Sequence, residues 1–99
     1  MRLAEATLFH EDDHVRVTRW SFTASGDTTG EHRHEYRYVV VPVTGGSLHV
    51  VGADGKPRHM EQHAGEPYNG TAGTHHTVSS ESNEPIVFVE IELKNSPTT

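Results

Sequence analysis

The chain has 99 residues, no cysteine and a formal charge of −6, from 14 acidic and 8 basic side chains. This length predicts one domain with a small core, and the absence of cysteine excludes disulfides, thiolate ligands and a cysteine nucleophile. The acidic balance argues against a nucleic-acid partner, because no basic stripe is available to neutralise phosphates. The N-terminal stretch turns acidic before any long apolar run, so we expect no signal peptide, no membrane span and a cytoplasmic location.

A hydrophobic period of two residues runs through most of the chain and predicts β-strands. Short segments rich in Gly, Asp, Asn and Pro separate these strands, and no stretch of ten residues carries a helical stripe. The predicted strands are an N-terminal segment and residues 14–22, 35–43, 47–51, 76–80 and 86–93. Short strands with turns between them predict an all-β sandwich, jelly roll or small barrel, with a core at about 15–93.

Alternation assigns several side chains to faces of these strands. In 14–22, Val15 and Val17 share one face, and Trp20 and Phe22 share the other, where we expect them to pack inside the barrel together with Tyr36. A small core gives thin stability, which favours a homodimer. The last residues, 95–99, are expected to fray.

The stretch HRH at 32–34 raises the question of a metal site. The chain has nine histidines, and a chain of this composition contains about one H-x-H pair by chance. Residues two apart on a strand share a face, so His32 and His34 would project together. The same face would carry Tyr36, Tyr38 and Val40. Glu35 would point away and pair with Arg33 or Arg37.

Two spaced motifs in the chain resemble the signatures of the cupin superfamily. The first signature, G-x5-H-x-H-x3,4-E-x6-G, is matched at Gly26, His32, His34 and Gly45. The second, G-x5-P-x-G-x2-H-x3-N, is matched at Gly65, Gly73 and His76. The resemblance covers about residues 15–93 and extends loosely to small bacterial cupins named for β-alanine degradation. It implies a double-stranded β-helix barrel with a metal bound by His32, His34 and His76.

The chain departs from these signatures at three positions. The glutamate position falls on Tyr38 or Val39, so the anionic ligand of the family is missing. Thr71 and Ser80 stand at the Pro and Asn positions of the second motif, where both are tolerable loop residues. Tyr38 is therefore the candidate catalytic side chain, as a hydrogen-bond partner of a bound ligand or as a phenolate ligand. A ring that simply fills the barrel explains Tyr38 equally well.

The remaining histidines are assigned by spacing and alternation. His76 fits the motif spacing, whereas its neighbour His75 would point to the other face of a strand. His49 could hydrogen-bond to one of the metal ligands without binding the metal itself. The others are expected at the solvated surface: His10, His14, His59 and His63.

Three neutral imidazoles favour a divalent transition metal, namely Fe, Zn, Ni or Cu, over the metals that prefer carboxylate oxygen. Three protein ligands leave open positions for water or for a small anionic substrate. The resemblance therefore permits a metal-dependent oxygenase or related enzyme acting on a small polar or anionic molecule. The alternative is a non-catalytic barrel that binds or senses a small molecule, and a purely structural role in an assembly is a third reading.

Overall fold

The computed structural model describes residues 2–94, so the predicted fraying of 95–99 lies outside the described residues. Nine β-strands and no helix occur in this part of the chain. The strands are β1 (Glu5–Glu11), β2 (Val15–Phe22), β3 (Thr28–Arg33), β4 (Arg37–Pro42), β5 (Gly46–Gly52), β6 (Pro57–Gln62), β7 (Tyr68–Gly70), β8 (His75–Ser80) and β9 (Ile86–Leu93). Accordingly, no helix within 2–94 is long and apolar enough to cross a membrane.

The strands form two antiparallel sheets that pack face to face. The five-stranded sheet has the order β1-β2-β9-β4-β7, and the four-stranded sheet has the order β3-β8-β5-β6. Neighbouring strands are often distant in the chain, as in β2 with β9, which is the wrapping of a jelly roll. The all-β prediction is confirmed.

The central strands of both sheets are the ones that the hydrophobic pattern predicted. β2, β4 and β9 fill the middle of one sheet, and β5 and β8 fill the middle of the other. The four edge strands are β1, β3, β6 and β7, of which only the first was expected. Edge strands bury less surface and carry more polar side chains, so their apolar alternation is weak. The sequence TTGEHR of β3 and the sequence PRHMEQ of β6 show this composition.

The strand predicted at 35–43 starts later than expected. The chain bends at 34–36 between β3 and β4, so no continuous strand runs from His32 to Val40. Tyr36 is consequently only half-buried and lies outside the core cluster, contrary to its expected interior position. Glu35 is exposed, as the alternation predicted, but within 2–94 it makes no ion pair with Arg33 or Arg37.

The core lies between the sheets and is apolar at one end only. Phe22, Leu48 and Ile86 are essentially inaccessible to solvent. Along β9, alternate side chains are buried, and this inward series changes from Ile86 and Phe88 to Glu90 and Glu92. The barrel therefore has an apolar floor and a polar end.

Candidate metal centre

His32 and His76 face each other across two paired strands at the polar end. They are direct register partners between β3 and β8, and their ring centroids are 4.7 Å apart. Trp20 stacks on His32 from the opposite sheet, with ring centroids 6.4 Å apart. The pairing of β3 with β8 thus brings together two histidines that are 44 residues apart in the sequence.

His34 lies just beyond the end of β3 but is held by the backbone. Its N–H donates to the carbonyl of Thr74 at 2.8 Å, and its own carbonyl accepts the N–H of Gly73 at 2.8 Å. Gly73 has a positive φ of 86°, which a residue with a side chain rarely adopts. The turn before β8 therefore fixes His34 beside His76, and the motif glycine is needed to form that turn.

The three rings point their Nε2 atoms at one another. Nε2 of His34 lies 3.1 Å from Nε2 of His32 and 3.1 Å from Nε2 of His76. Such spacings suit nitrogens that are bound to one ion at about 2.0–2.1 Å. The group His32, His34 and His76 also satisfies the general spacing of metal-ligating side chains.

The other ring nitrogens determine which tautomer each histidine adopts. Nδ1 of His32 lies 3.0 Å from the carbonyl oxygen of Gly30, so it must carry the proton. Nδ1 of His34 lies 3.4 Å from Oε1 of Glu90, which favours a proton there too. In these tautomers Nε2 is unprotonated and carries a free lone pair. Converging lone pairs repel one another, and a cation between them removes that repulsion, so the residues fit a metal.

Burial keeps two of the imidazoles neutral. It lowers the pKa of His34 to about 4, helped by the charge of His32, and it lowers the pKa of His76 to about 4 in the same way. Neutral imidazole is the form that binds metals.

Glu90 is a buried carboxyl group directly behind His34. It is 8% exposed, contacts Nδ1 of His34 and accepts a hydrogen bond from Trp20. Burial, reinforced by the nearby charge of Glu92, raises the pKa of Glu90 to about 7. Carboxylates behind metal-bound histidines commonly orient the ring and increase its basicity.

Glu92 occupies the next inward position of β9 but has a different partner. Arg16 faces it across β2 and β9, and donates two hydrogen bonds to its carboxylate at 2.6 and 2.7 Å. His34, Glu90 and Glu92 also lie close enough to hold an ion. Because both Glu92 oxygens are bound by Arg16, this second group is a poorer candidate than the three histidines.

Tyr38 packs flat against His34. The ring centroids are 3.9 Å apart, the planes are inclined by 18°, and the side chain is 6% exposed. Gly70 is its partner across β4 and β7, where a Cβ atom would overlap the Tyr38 ring. Burial raises the pKa of the Tyr38 phenol, which disfavours a phenolate ligand at neutral pH. The contacts favour a ring that packs against His34, with its hydroxyl hydrogen-bonded to Thr74.

A cavity of about 610 Å³ opens above the histidines. Its walls include the apolar Val50, Met60 and Phe88, with Asn69 and Thr71 at polar positions. The cavity is large enough for a small organic molecule, and all three Nε2-bearing side chains line it.

The remaining histidines discussed in the sequence analysis lie outside the three-histidine cluster. His75 points away from the cluster and lies 3.7 Å from Glu31. His49 lies 3.7 Å from Glu81 at the surface, so it does not support a metal ligand, contrary to one of our expectations. His10 and His59 are exposed as expected, and exposed His63 also lines the cavity.

Glu90 and Glu92 are the residues near the site that the sequence analysis missed. A signal was present, because alternation in IVFVEIEL places both glutamates in phase with Ile86 and Phe88. The other alternating set of side chains in this strand is wholly apolar, so by sequence alone it is the better candidate for the core face. It consists of Val87, Val89, Ile91 and Leu93. The structure leaves that phase half-buried on the outer side of the sheet.

No protein-family model matches the chain. Among solved structures, a cupin domain from Bordetella pertussis Tohama I is 38% identical, with a TM-score of 0.89 over 94% of this chain and 95% of that one. An RmlC-like cupin from Methanocaldococcus jannaschii shares the double-stranded β-helix fold at 10% identity, with a TM-score of 0.75 over 94% of this chain and 82% of that one. The chain therefore belongs to the cupin superfamily.

A curated relative adds a more particular likeness. The β-alanine degradation protein BauB of Pseudomonas aeruginosa is 43% identical over 91 residues, which cover 92% of this chain and 94% of that protein. The resemblance to small bacterial cupins of this kind is confirmed.

Proposed function

We propose that this cupin binds one divalent transition metal through Nε2 of His32, His34 and His76 and acts on a small polar or anionic molecule. The observation that carries the proposal is the convergence of these three nitrogens, with 3.1 Å contacts to His34, in the lining of an open cavity. Three neutral nitrogen donors favour Fe, Zn, Ni or Cu.

A metal in such a site supplies Lewis-acid chemistry, or dioxygen chemistry where it is iron. The chain itself holds the ligands: Gly30 and Glu90 orient two imidazoles, and Tyr38 packs against His34. The apolar walls of the cavity keep bulk water away from one side of a bound molecule. A metal-dependent oxygenase is the enzymatic function that fits this arrangement.

The name of the curated relative supports a metabolic role. BauB is described as a β-alanine degradation protein, and this chain matches nearly its whole length. We extend this to a role in the breakdown of small amino acids or related carboxylic acids. A cytoplasmic location fits such a role.

A non-catalytic binding or sensing module is the second candidate. Tyr38 stands where the first cupin motif has a glutamate, so the three histidines bring no anionic ligand to the ion, which favours binding over catalysis. Oxygen consumption separates the two functions: iron-loaded protein is assayed with a panel of small acids, thiols and diketones. Uptake above that of a His34→Ala control supports the oxygenase, and its absence with every compound supports the binding module.

Metal binding is tested by elemental analysis of protein purified without a nickel column, followed by reconstitution with Fe(II) and Zn(II). We expect about one ion per chain. His76→Ala should lose the metal, whereas His75→Ala and Glu35→Ala should retain it, because neither of these side chains reaches the cluster. Wild-type protein that neither contains nor takes up metal would refute the proposal.

We also propose a homodimer formed through the outer face of the five-stranded sheet. Val39 and Val41 of β4 lie beside Ile91 and Val89 of β9, and all four are half-buried on that face. Covering it would add apolar burial to a small core. Light scattering should give a dimer that Val41→Lys converts to a monomer while the metal content is unchanged. A monomeric wild-type protein would contradict this assembly.

A further inference from the structure

The charge distribution around the cavity is uneven. The chain carries a net charge of −6, and the acidic residues that contribute to the cavity lining are Glu61, Glu66 and Glu90. Among the described lining residues, Arg58 is the only lysine or arginine. An anion entering this cavity would meet repulsion from most charged groups and attraction from Arg58.

The register of the four-stranded sheet directs Arg58 inward. Arg58 pairs with Val50 of β5, and Val50 is buried in the core. Met60 and Gln62 follow in the same phase of β6, and both line the cavity. Arg58 is thus the outermost member of an inward-facing series, with its exposed side chain at the mouth of the barrel.

No side chain of β5 stands between Arg58 on β6 and His76 on β8 at the level of His76. β5 lies between β6 and β8, and the β5 residue opposite His76 is Gly52, which has no side chain. Arg58 and His76 both line the cavity, so the guanidinium and the imidazole share one space. Tyr38 lines the same cavity from β4, in the opposite sheet.

The Arg58 guanidinium has no carboxylate partner within 4 Å in residues 2–94. Glu61, its near neighbour in the sequence, projects in the opposite phase of β6 and contacts Ser47 and His59. Arg16 shows the contrast, since its guanidinium is bound by Glu92. Arg58 is therefore free to take an external anion in the forked geometry that guanidinium offers to carboxylates.

We propose that Arg58 is the anion anchor of the cavity and that the molecule bound above the histidines is a small carboxylate. Its carboxylate contacts the guanidinium at the mouth, and the rest of the molecule extends toward the three Nε2 atoms. This inference rests on the proposed function for the location of the ligand, and it names the chemical class of that ligand.

The test compares propanoate with propanamide, which have nearly the same shape and differ in charge. Zn(II) binding is measured first, by calorimetry, for wild type, Arg58→Gln, Arg58→Lys and Arg37→Gln. Dissociation constants for the two compounds are then obtained from NMR shift titrations of both the zinc-loaded and the metal-free proteins. Arg37→Gln is the matched control, because Arg37 is exposed and does not line the cavity.

We expect wild type to prefer propanoate, and Arg58→Gln to weaken propanoate binding by about tenfold or more, since charge-assisted hydrogen bonds are lost. Propanamide binding and zinc binding should be unchanged, Arg58→Lys should retain part of the preference, and Arg37→Gln should retain all of it. Wild-type affinity for propanoate in Arg58→Gln, or an equal loss in Arg37→Gln, would overturn the assignment. Failure to bind zinc would instead count against the metal site, and the metal-free titrations would still decide the role of Arg58.

Discussion

Two groups of histidine and glutamate side chains in this protein have similar composition and opposite surroundings. The inner cluster is His32, His34, His76 and Glu90. The outer cluster is His49, His59, Glu61 and Glu81, on the four-stranded sheet and the segment that follows β8. In the inner cluster imidazole nitrogens face one another at 3.1 Å, whereas in the outer cluster they face carboxylates, as in the 2.7 Å contact of His59 with Glu81.

The clusters differ in how deeply their side chains are buried and in what their imidazole nitrogens point toward. His34 is 5% exposed, while the side chain of His59 is 60% exposed. In the outer cluster water and salt screen the charges, and each of the two rings already has an acidic partner. In the inner cluster desolvation keeps imidazoles neutral, and the lone pairs converge on one point. Residue type alone therefore does not define a site here.

The largest effect is expected from removing one histidine of each cluster. His34→Ala should reduce zinc affinity by more than the roughly 10–100-fold typical of outer partners of a ligand, because a ligand itself is lost. His59→Ala should leave zinc affinity at the wild-type value. Calorimetric titration measures both, and a comparable loss in His59→Ala would mean that the outer cluster takes part in metal binding.

A smaller effect is expected from the glutamates. Glu90→Gln should weaken zinc binding by roughly tenfold, since the ring of His34 loses the carboxylate at its Nδ1. Glu81→Gln, which changes an equivalent pair at the surface, is the control. If Glu90→Gln binds zinc as tightly as wild type, the contact between Glu90 and His34 does not orient the ligand.

The inner cluster should also determine the pH dependence of stability of the metal-free protein. His34 and His76 have a folded pKa of about 4, below the usual 6.5, so the unfolded chain holds two more protons between pH 4.5 and 6.5. Glu90 has a folded pKa of about 7, above the usual 4.5, so the folded state holds one more proton there. The net difference is one proton, and the free energy of unfolding should fall by about 1.4 kcal/mol per pH unit as the pH drops.

Glu90→Gln removes the opposing contribution, so its slope should be about 2.7 kcal/mol per pH unit over the same interval. Urea unfolding at several pH values in the presence of a chelator measures these slopes. Glu81→Gln should follow the wild-type line. Equal slopes for wild type and Glu90→Gln would show that Glu90 titrates normally in the folded protein.

The smallest effect is expected from the outer cluster itself. A double-mutant cycle on His59 and Glu81 should give a coupling energy within about 0.2–1 kcal/mol that decreases with added salt. A larger coupling energy would indicate that this exposed pair is more ordered and less screened than its exposure implies.

The sequence predicted the fold class and the middle of both sheets, because central strands must be apolar along the face that they bury. Edge strands such as β3 and β6 were missed, since their polar side chains hide the alternation. The three histidines were selected by motif spacing, and the structure brings their Nε2 atoms together. The two neighbouring histidines do not lie on one continuous strand, as had been expected. His34 follows the end of β3 and is held by the turn at Gly73.

The sequence by itself determined which side chains alternate, which glycines permit turns and which histidines match a cupin pattern. It could not decide which of the two phases of β9 faces inward, because one phase is wholly apolar and the other ends in Glu90 and Glu92. Only the tertiary structure decided this, by supplying Arg16, Trp20 and His34 as partners for the two buried carboxyl groups. Local patterns report the preference of a strand for burial, whereas the cost of burying a charge depends on neighbours that are distant in the chain.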